Sequence, residues 1–324
     1  MSMTLIEQIS KWDEDWYGRF PKRITKKQKQ AFLQAIETEL HEREFETERI
    51  QVRNLLQNNL LATKCEEPKF IFLAHFDTPT IMPILFTAVF KLFGHTRQIL
   101  GTIILLFLLY LPPFLPVSLF GNAQNFTVFQ IAFQTIFILS LFTLFIPNPH
   151  NREDNTSGVI GLMALAEWLK DKPALKKHVQ LIFLDNEEWG LLGSAGLKMR
   201  WDKQDYPYKN AKIINLDCIS RGKKPLLVYH WNNTLAEQVL PYVKKHFANA
   251  RTINMRWLPL SDNYTFRKLG ALDISYADPS LIPGGYVISK IHTPRDKDFF
   301  PENLAPLITA LSEFVEDEIG HTPA

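Results

Sequence analysis

Cysteine is scarce: 324 residues hold two, Cys65 and Cys218, far apart and in no Cys-x-x-Cys pair. That argues against both a disulfide framework and a thiolate zinc site. A charge excess is missing too, since a formal net charge of +2 spread over both halves forms no basic stripe, and nucleic acid is not an expected partner. The first twenty residues carry Glu7, Asp13, Glu14 and Asp15 and lack the apolar core of a secretory signal. No internal repeat is present. The most informative absence lies further on: from Gln98 to Pro149 there is no Asp, Glu, Lys, Arg or His.

That uncharged stretch divides at Gly121-Asn122-Ala123-Gln124-Asn125 into two apolar runs, 98–120 and 126–146. At a rise of about 1.5 Å per residue, each is long enough to cross a hydrocarbon core of roughly 30 Å. The pattern predicts a two-helix transmembrane hairpin inside an insertion spanning 81–147, although Pro112, Pro113 and Pro116 weaken the first helix. Residues 81–93 are apolar but short and contain Pro83, as in an interfacial approach segment. Lys91, Arg97 and Arg152 flank the hairpin while its turn is uncharged. By the positive-inside rule this predicts a multi-pass protein of the cell membrane whose remaining chain lies on the cytoplasmic side. The expected partners include the lipid bilayer, with homo-oligomerisation through the Phe-rich spans left open.

Outside the insertion, the periodicity predicts an α/β protein. Residues 25–53 have the spacing of an amphipathic surface helix, and 59–64 and 69–74 look like strands. A helix is expected over 157–171, starting at Asp154-Asn155-Thr156. Strands follow at 178–184, 212–216, 226–229, 252–257 and 272–276, with helices at 234–247 and 304–319.

Short polar clusters stand at the ends of these apolar segments: His75-Phe76-Asp77, Asp154-Asn155, Glu187-Glu188, Asp217 and His292. Two imidazoles and several carboxylates suit two divalent ions sharing one carboxylate. Ligands delivered from strand ends collect in the crevice beyond them. Each cluster alone is weak, because a single strand-end His or a pair of glutamates is ordinary surface chemistry. In order, however, AHFDTP at 74–79, EDNTSGV at 153–159, FLDNEEWGLLGS at 183–194, INLDCIS at 214–220, SDNYTF at 261–266 and IHTPRD at 291–296 resemble the M28 family of zinc aminopeptidases.

The resemblance covers about residues 60–320 apart from the insertion. It implies a mixed, mainly parallel sheet flanked by helices, built from 1–80 and 148–324 as the two parts of one catalytic domain. It makes His75 and Asp217 ligands of one metal ion, Glu188 and His292 ligands of the other, and Asp154 the carboxylate shared by both. Asp77 would orient the His75 imidazole, and Glu187 would be the general base. The ions would be two divalent metals, in this family Zn2+, and the substrates peptides with a free amino terminus. Gly190 and Gly193 would allow a tight approach to the following helix.

Two features depart from the family pattern. Asn263 stands where a His is common, and no tyrosine directly precedes His292, which leaves Tyr264, Tyr276 and Tyr286 as candidates for binding the oxyanion. The expectation is therefore a membrane-anchored two-metal aminopeptidase. The alternatives are a related amidohydrolase or glutaminyl cyclase, and a catalytically silent membrane receptor or assembly subunit.

Overall fold

A computed structural model describes residues 3–110, 121–255 and 261–320. The chain opens with α1 (Leu5–Arg19), capped by a reciprocal Thr4 and Glu7 box, and α2 (Lys26–Glu42), capped in the same way by Thr25 and Gln28. Strands β1 (Thr47–Arg53), β2 (Gln57–Thr63) and β3 (Phe70–His75) lead into the insertion, with α3 (Ile84–Phe93), α4 (Gln98–Tyr110) and α5 (Ala123–Leu141). Then follow α6 (Gly158–Leu169), α7 (Pro173–Lys176), β4 (Val179–Leu184), α8 (Leu192–Gln204), β5 (Lys212–Leu216), β6 (Lys224–Tyr229), α9 (Thr234–His246), β7 (Arg251–Asn254), β8 (Leu272–Pro279), β9 (Tyr286–Val287) and α10 (Pro301–Gly320).

The strands form one sheet in the order β1-β2-β4-β3-β5-β8-β6-β7, with β9 added to β8. The β4-β3-β5-β8 centre is parallel, as is β6 with β7. The β1-β2, β2-β4, β6-β8 and β8-β9 pairs are antiparallel. The sheet is therefore mixed as expected, but parallel pairing is confined mainly to its centre. Parallel neighbours need long crossovers, whereas β1 and β2 are joined by a short turn and can pair only antiparallel.

Alternation along the strands divides the core in two. Phe70, Phe72 and Ala74 of β3 face the layer of α1, α2, α6, α9 and α10, whereas Ile71 and Leu73 face α8 with Trp201, Tyr208 and Phe266. In β1 the same period buries Ile50 and Val52 and leaves Arg49, Gln51 and Arg53 exposed. The single helix expected over 25–53 therefore ends at Glu42, and its last part is a strand. Charged residues at alternate positions of TERIQVR suit a helix face and an edge strand equally, and the pairing with β2 decides.

In the insertion, one helix among the described residues is long and apolar enough to cross a membrane: Ala123–Phe145, 23 residues with a mean hydropathy of 2.0 and none of its apolar window buried. The first expected span is helical over Gln98–Tyr110, and its remainder, 111–120 with the three prolines, lies outside the described residues.

Candidate metal centre

The parallel centre of the sheet delivers its strand ends to one place. His75 closes β3, Asp217 follows β5, Glu187 and Glu188 follow β4, and Asp154 precedes α6. His292 arrives from the loop after β9. Asp154 lies between the two imidazoles: its Oδ1 is 3.4 Å from His75 Nε2 and its Oδ2 is 3.0 Å from His292 Nε2. His75 Nε2 also lies 3.7 Å from Asp217 Oδ1, and His292 Nε2 lies 3.7 Å from Glu188 Oε2. Two ligand-type groups result, His75-Asp154-Asp217 and Asp154-Glu188-His292, each with its donor atoms within 4.8 Å of one another. A third group, His75-Glu187-Glu188, meets the same limit.

The donors suit divalent cations. Glu188 Oε1 and Asp217 Oδ1 are buried without a hydrogen-bond partner among the described residues. Burial and then the charge of Asp154 push Glu188 well above the usual carboxylate range, while burial and then His75, Glu188 and Asp217 act on Glu187, with a net upward shift. Burial also opposes ionisation of Asp154, but hydrogen bonds from His292 and His75 hold it low. So many carboxylates in one dry site need cations to ionise together.

Supporting contacts fix this arrangement. Asp77 accepts the backbone N–H groups of Glu187 (3.1 Å) and Glu188 (3.3 Å), and its Oδ1 lies 3.5 Å from His75 Nδ1. Ser261 Oγ donates to Asp217 Oδ2 at 2.7 Å. Gly193 has structural grounds for lacking a side chain, because a Cβ there would stand 1.9 Å from Asp185 O.

Several supports were not singled out in the sequence. Asp296 accepts the backbone N–H groups of Glu153 and Asp154, each at 3.1 Å, and pairs with Arg221 at 3.2 Å. Glu153 accepts from Ser220 and from the backbone of Arg221. Arg23, fully buried, donates to Phe76 O and Thr156 Oγ1, while Lys29 reaches Asp185 at 2.5 Å and Asn186 at 2.6 Å. The helix at 26–42, read from sequence as scaffold alone, thus holds the strand end that carries Glu187. Asp296 and Glu153 at least fall inside the quoted motifs. Of the tyrosine candidates, Tyr264 and Tyr286 line the cavity, whereas Tyr276 is buried and donates to Asn303 O at 3.1 Å.

The centre opens into a cavity of about 990 Å3. The insertion supplies part of its wall through Met82, Phe90, His95 and Thr96, opposite Leu226, Val228 and Met255. This wall is tied to the loop bearing His292. Met82 N donates to His292 O at 2.9 Å, Leu281 N to Lys91 O at 3.1 Å, and Ile282 N to Leu92 O at 2.8 Å. Tyr286 N donates to Thr96 Oγ1 at 2.9 Å and Ile288 N to His95 Nδ1 at 3.0 Å. Gly94, at φ +82°, lets the two backbones approach, since a Cβ there would lie 2.6 Å from Tyr286 backbone atoms. At the neck of the insertion, Thr80 and Pro147 form a bridge, with Ile81 N donating to Ile146 O at 2.9 Å and Asn148 N to Pro79 O at 3.0 Å.

The model of peptidase family M28 matches residues 152–301. No curated protein matches the chain by sequence. Among solved structures, the LapA aminopeptidase of Legionella pneumophila is 12% identical, with 98% of this chain and 73% of that chain covered and a TM-score of 0.62. A glutaminyl cyclase of Bacteroides thetaiotaomicron is 14% identical, with 96% of each chain covered and a TM-score of 0.60. A Zn-dependent exopeptidase of Parabacteroides distasonis is 14% identical, with 96% of each covered and a TM-score of 0.59. The chain therefore shares the mixed α/β fold of these proteins.

Proposed function

We propose that this chain is a membrane-anchored aminopeptidase of the M28 type that holds two divalent metal ions, zinc by the character of its donors, and removes residues from the free amino end of peptides. The observation that carries this reading is the position of Asp154, whose two oxygens face two different imidazoles. His75 and Asp217 would hold one ion, Glu188 and His292 the other, and Asp154 both. When bound, the ions would polarise the scissile carbonyl and acidify a water molecule. Glu187 would be the base for the proton of such a water and the acid toward the leaving amine. Asp77 grips the backbone of both glutamates, so the neighbouring side chains hold separate tasks, and it orients the His75 ring.

Glutaminyl cyclase activity is the second reading, supported by the full-length likeness in fold to such an enzyme. The match to the model of peptidase family M28 over residues 152–301 favours the peptidase, and a silent receptor would have no need of either ligand pair. Purified in detergent, the protein should contain two ions per chain and cleave a panel of aminoacyl amides and short peptides, with loss of activity in chelator and recovery with zinc. An N-terminal glutaminyl peptide in the same panel reports cyclisation. Two bound ions with no hydrolysis of any member would rule out the peptidase.

The insertion at 81–147 anchors the enzyme through the Ala123–Phe145 helix and, in this reading, the paired run at 98–120. By the positive-inside rule, Lys91, Arg97 and Arg152 beside the insertion support a cytoplasmic side for the catalytic part. Protease added to intact cells should leave that part whole; cleavage within residues 26–42 under those conditions would reverse the topology.

A further inference from the structure

The cavity is lined by charges of both signs: Asp154, Glu187, Glu188 and Asp217 of the metal centre with Asp273, and Lys198, Lys209, Arg267 and Lys268. Lys198 and Lys209 share one counter-ion, Asp202, at 2.6 and 3.3 Å. Arg267 differs from them. Its guanidinium lies 4.0 Å from the Tyr264 ring centroid and 5.5 Å from that of Trp231, and its Nη1 donates to the backbone oxygen of Tyr264 at 2.8 Å. Arg267 Nε is buried without a hydrogen-bond partner, and no carboxylate pairs with this arginine among the described residues. The neighbouring residues 256–260, outside the described set, contain no acid.

Two more polar groups share this wall. His230 and Asn263 line the cavity at 1% exposure each, and His230 Nδ1 and Asn263 Oδ1 have no hydrogen-bond partner among the described residues. The strongly buried arginines differ in having partners in the fold: Arg23 donates to Phe76 O and Thr156 Oγ1, and Arg221, although its Nε and Nη2 have no hydrogen-bond partner among the described residues, has Asp296 as counter-ion. A half-buried cation locked by aromatic rings and left without a counter-ion is arranged for an anion, and a carboxylate is the common planar partner of a guanidinium.

The direction is set by the 3-10 segment Asp262–Leu269, which leaves the metal centre where Ser261 contacts Asp217. The segment departs from helical dihedrals at Phe266, so six steps along it cover at most about 12 Å, no more than the length of three to four extended residues. A short peptide is a dipole of matching sense, with its ammonium toward the acids and its carboxylate toward Arg267.

We propose that Arg267, held by Tyr264 and Trp231 with Lys268 beside it, receives the C-terminal carboxylate of the substrate, so that the preferred substrates are free peptides of a few residues rather than the ends of long chains. This rests on the aminopeptidase reading. His230 and Asn263 supply polar atoms to the peptide between the two ends.

The test compares a tripeptide with its own C-terminal amide. In the wild-type enzyme KM should be about tenfold lower for the acid, the worth of a charge-assisted hydrogen bond. Calorimetry with an uncleavable reduced-bond tripeptide, as acid and as amide, should give the same preference without turnover. Arg267→Gln should bring both ratios close to one, and Arg267→Lys should retain part of them. Equal KM values and equal affinities for acid and amide in the wild type would overturn the proposal whether or not the variants fold, as would a ratio that survives Arg267→Gln. Cleavage without any acid preference would sink this inference and leave the peptidase standing. A binding preference lost in Arg267→Gln, with no peptide cleaved by the metal-loaded protein, would keep the carboxylate site and sink the peptidase. Failure to bind either form overturns the site.

Discussion

Two apolar helices of this chain meet opposite fates. In α6 every residue is buried except the partly covered Glu167 and Trp168, whereas in α5 no residue is buried. The first lies on the sheet beneath α1 and α10, inside the larger core. The second leaves Val128, Ile131, Ile136, Ile138 and Leu139 each more than half exposed. Burial out of water is favourable for both, but among the described residues only α6 finds protein to cover it, and α5 leaves its apolar surface open. Length separates them in advance. Twelve residues span about 18 Å, too short for a bilayer, whereas the 23 residues through Phe145 span about 34 Å.

The sharpest test of this contrast is chemical, because Asp154 stands at the foot of α6 and no candidate ligand stands on α5. Asp154→Ala should lose bound metal, and Glu187→Gln should keep it while turnover falls about 10²- to 10⁴-fold or more. Metal content and kcat are the measurements, and near-normal kcat in Glu187→Gln would remove that residue from its role. Next in size is solvation. Ile131→Lys together with Ile138→Lys should move the protein out of the membrane fraction, since each lysine costs about 3 kcal/mol at the centre of a span. Continued recovery with membranes at high salt would mean that α5 is not the anchor.

Packing gives a smaller difference. Leu165, fully buried in α6, should lose about 2–5 kcal/mol on truncation to Ala, measured as a shift in denaturant midpoint. Ile131→Ala should change the same midpoint by less than about 0.5 kcal/mol. A comparable loss at both sites would show that α5 packs on the body. The last test reads burial itself, through the thiols. Burial pushes the Cys65 thiol up to about 11, and Cys218 is buried beside Asp217. At pH 8 Cys65 should alkylate roughly a hundredfold more slowly than an open thiol, so rapid labelling of the folded protein would contradict its packing.

The parts of the site that can be read from sequence are those where one short segment carries both the structural and the chemical signal. β4 and β5 are short, mostly apolar and β-branched runs followed at once by acids, so both the strands and the residues they deliver are legible. Arg23 and Lys29 are not. Their partners lie 53 to 157 residues away, and nothing local distinguishes them from surface cations. α1 was missed for a related reason: its charged, tryptophan-bearing stretch has a buried face only because the body of the protein provides one. In β1 the alternating charges were ambiguous between two periods until β2 was present to pair with it.

The stitched neck of the insertion has a mechanical consequence. A free linker of ten residues would let the body wander by about 15–20 Å and tumble at will above the surface. Here the backbones of 79–82 and 146–148 are paired with each other, and rungs join Lys91 and Leu92 to the 281–282 loop, so the neck of the insertion and α3 are held to the body. The wall that α3 and its following turn give the cavity is thus carried by the same hydrogen bonds that hold the loop bearing His292, so a shift of one displaces the other.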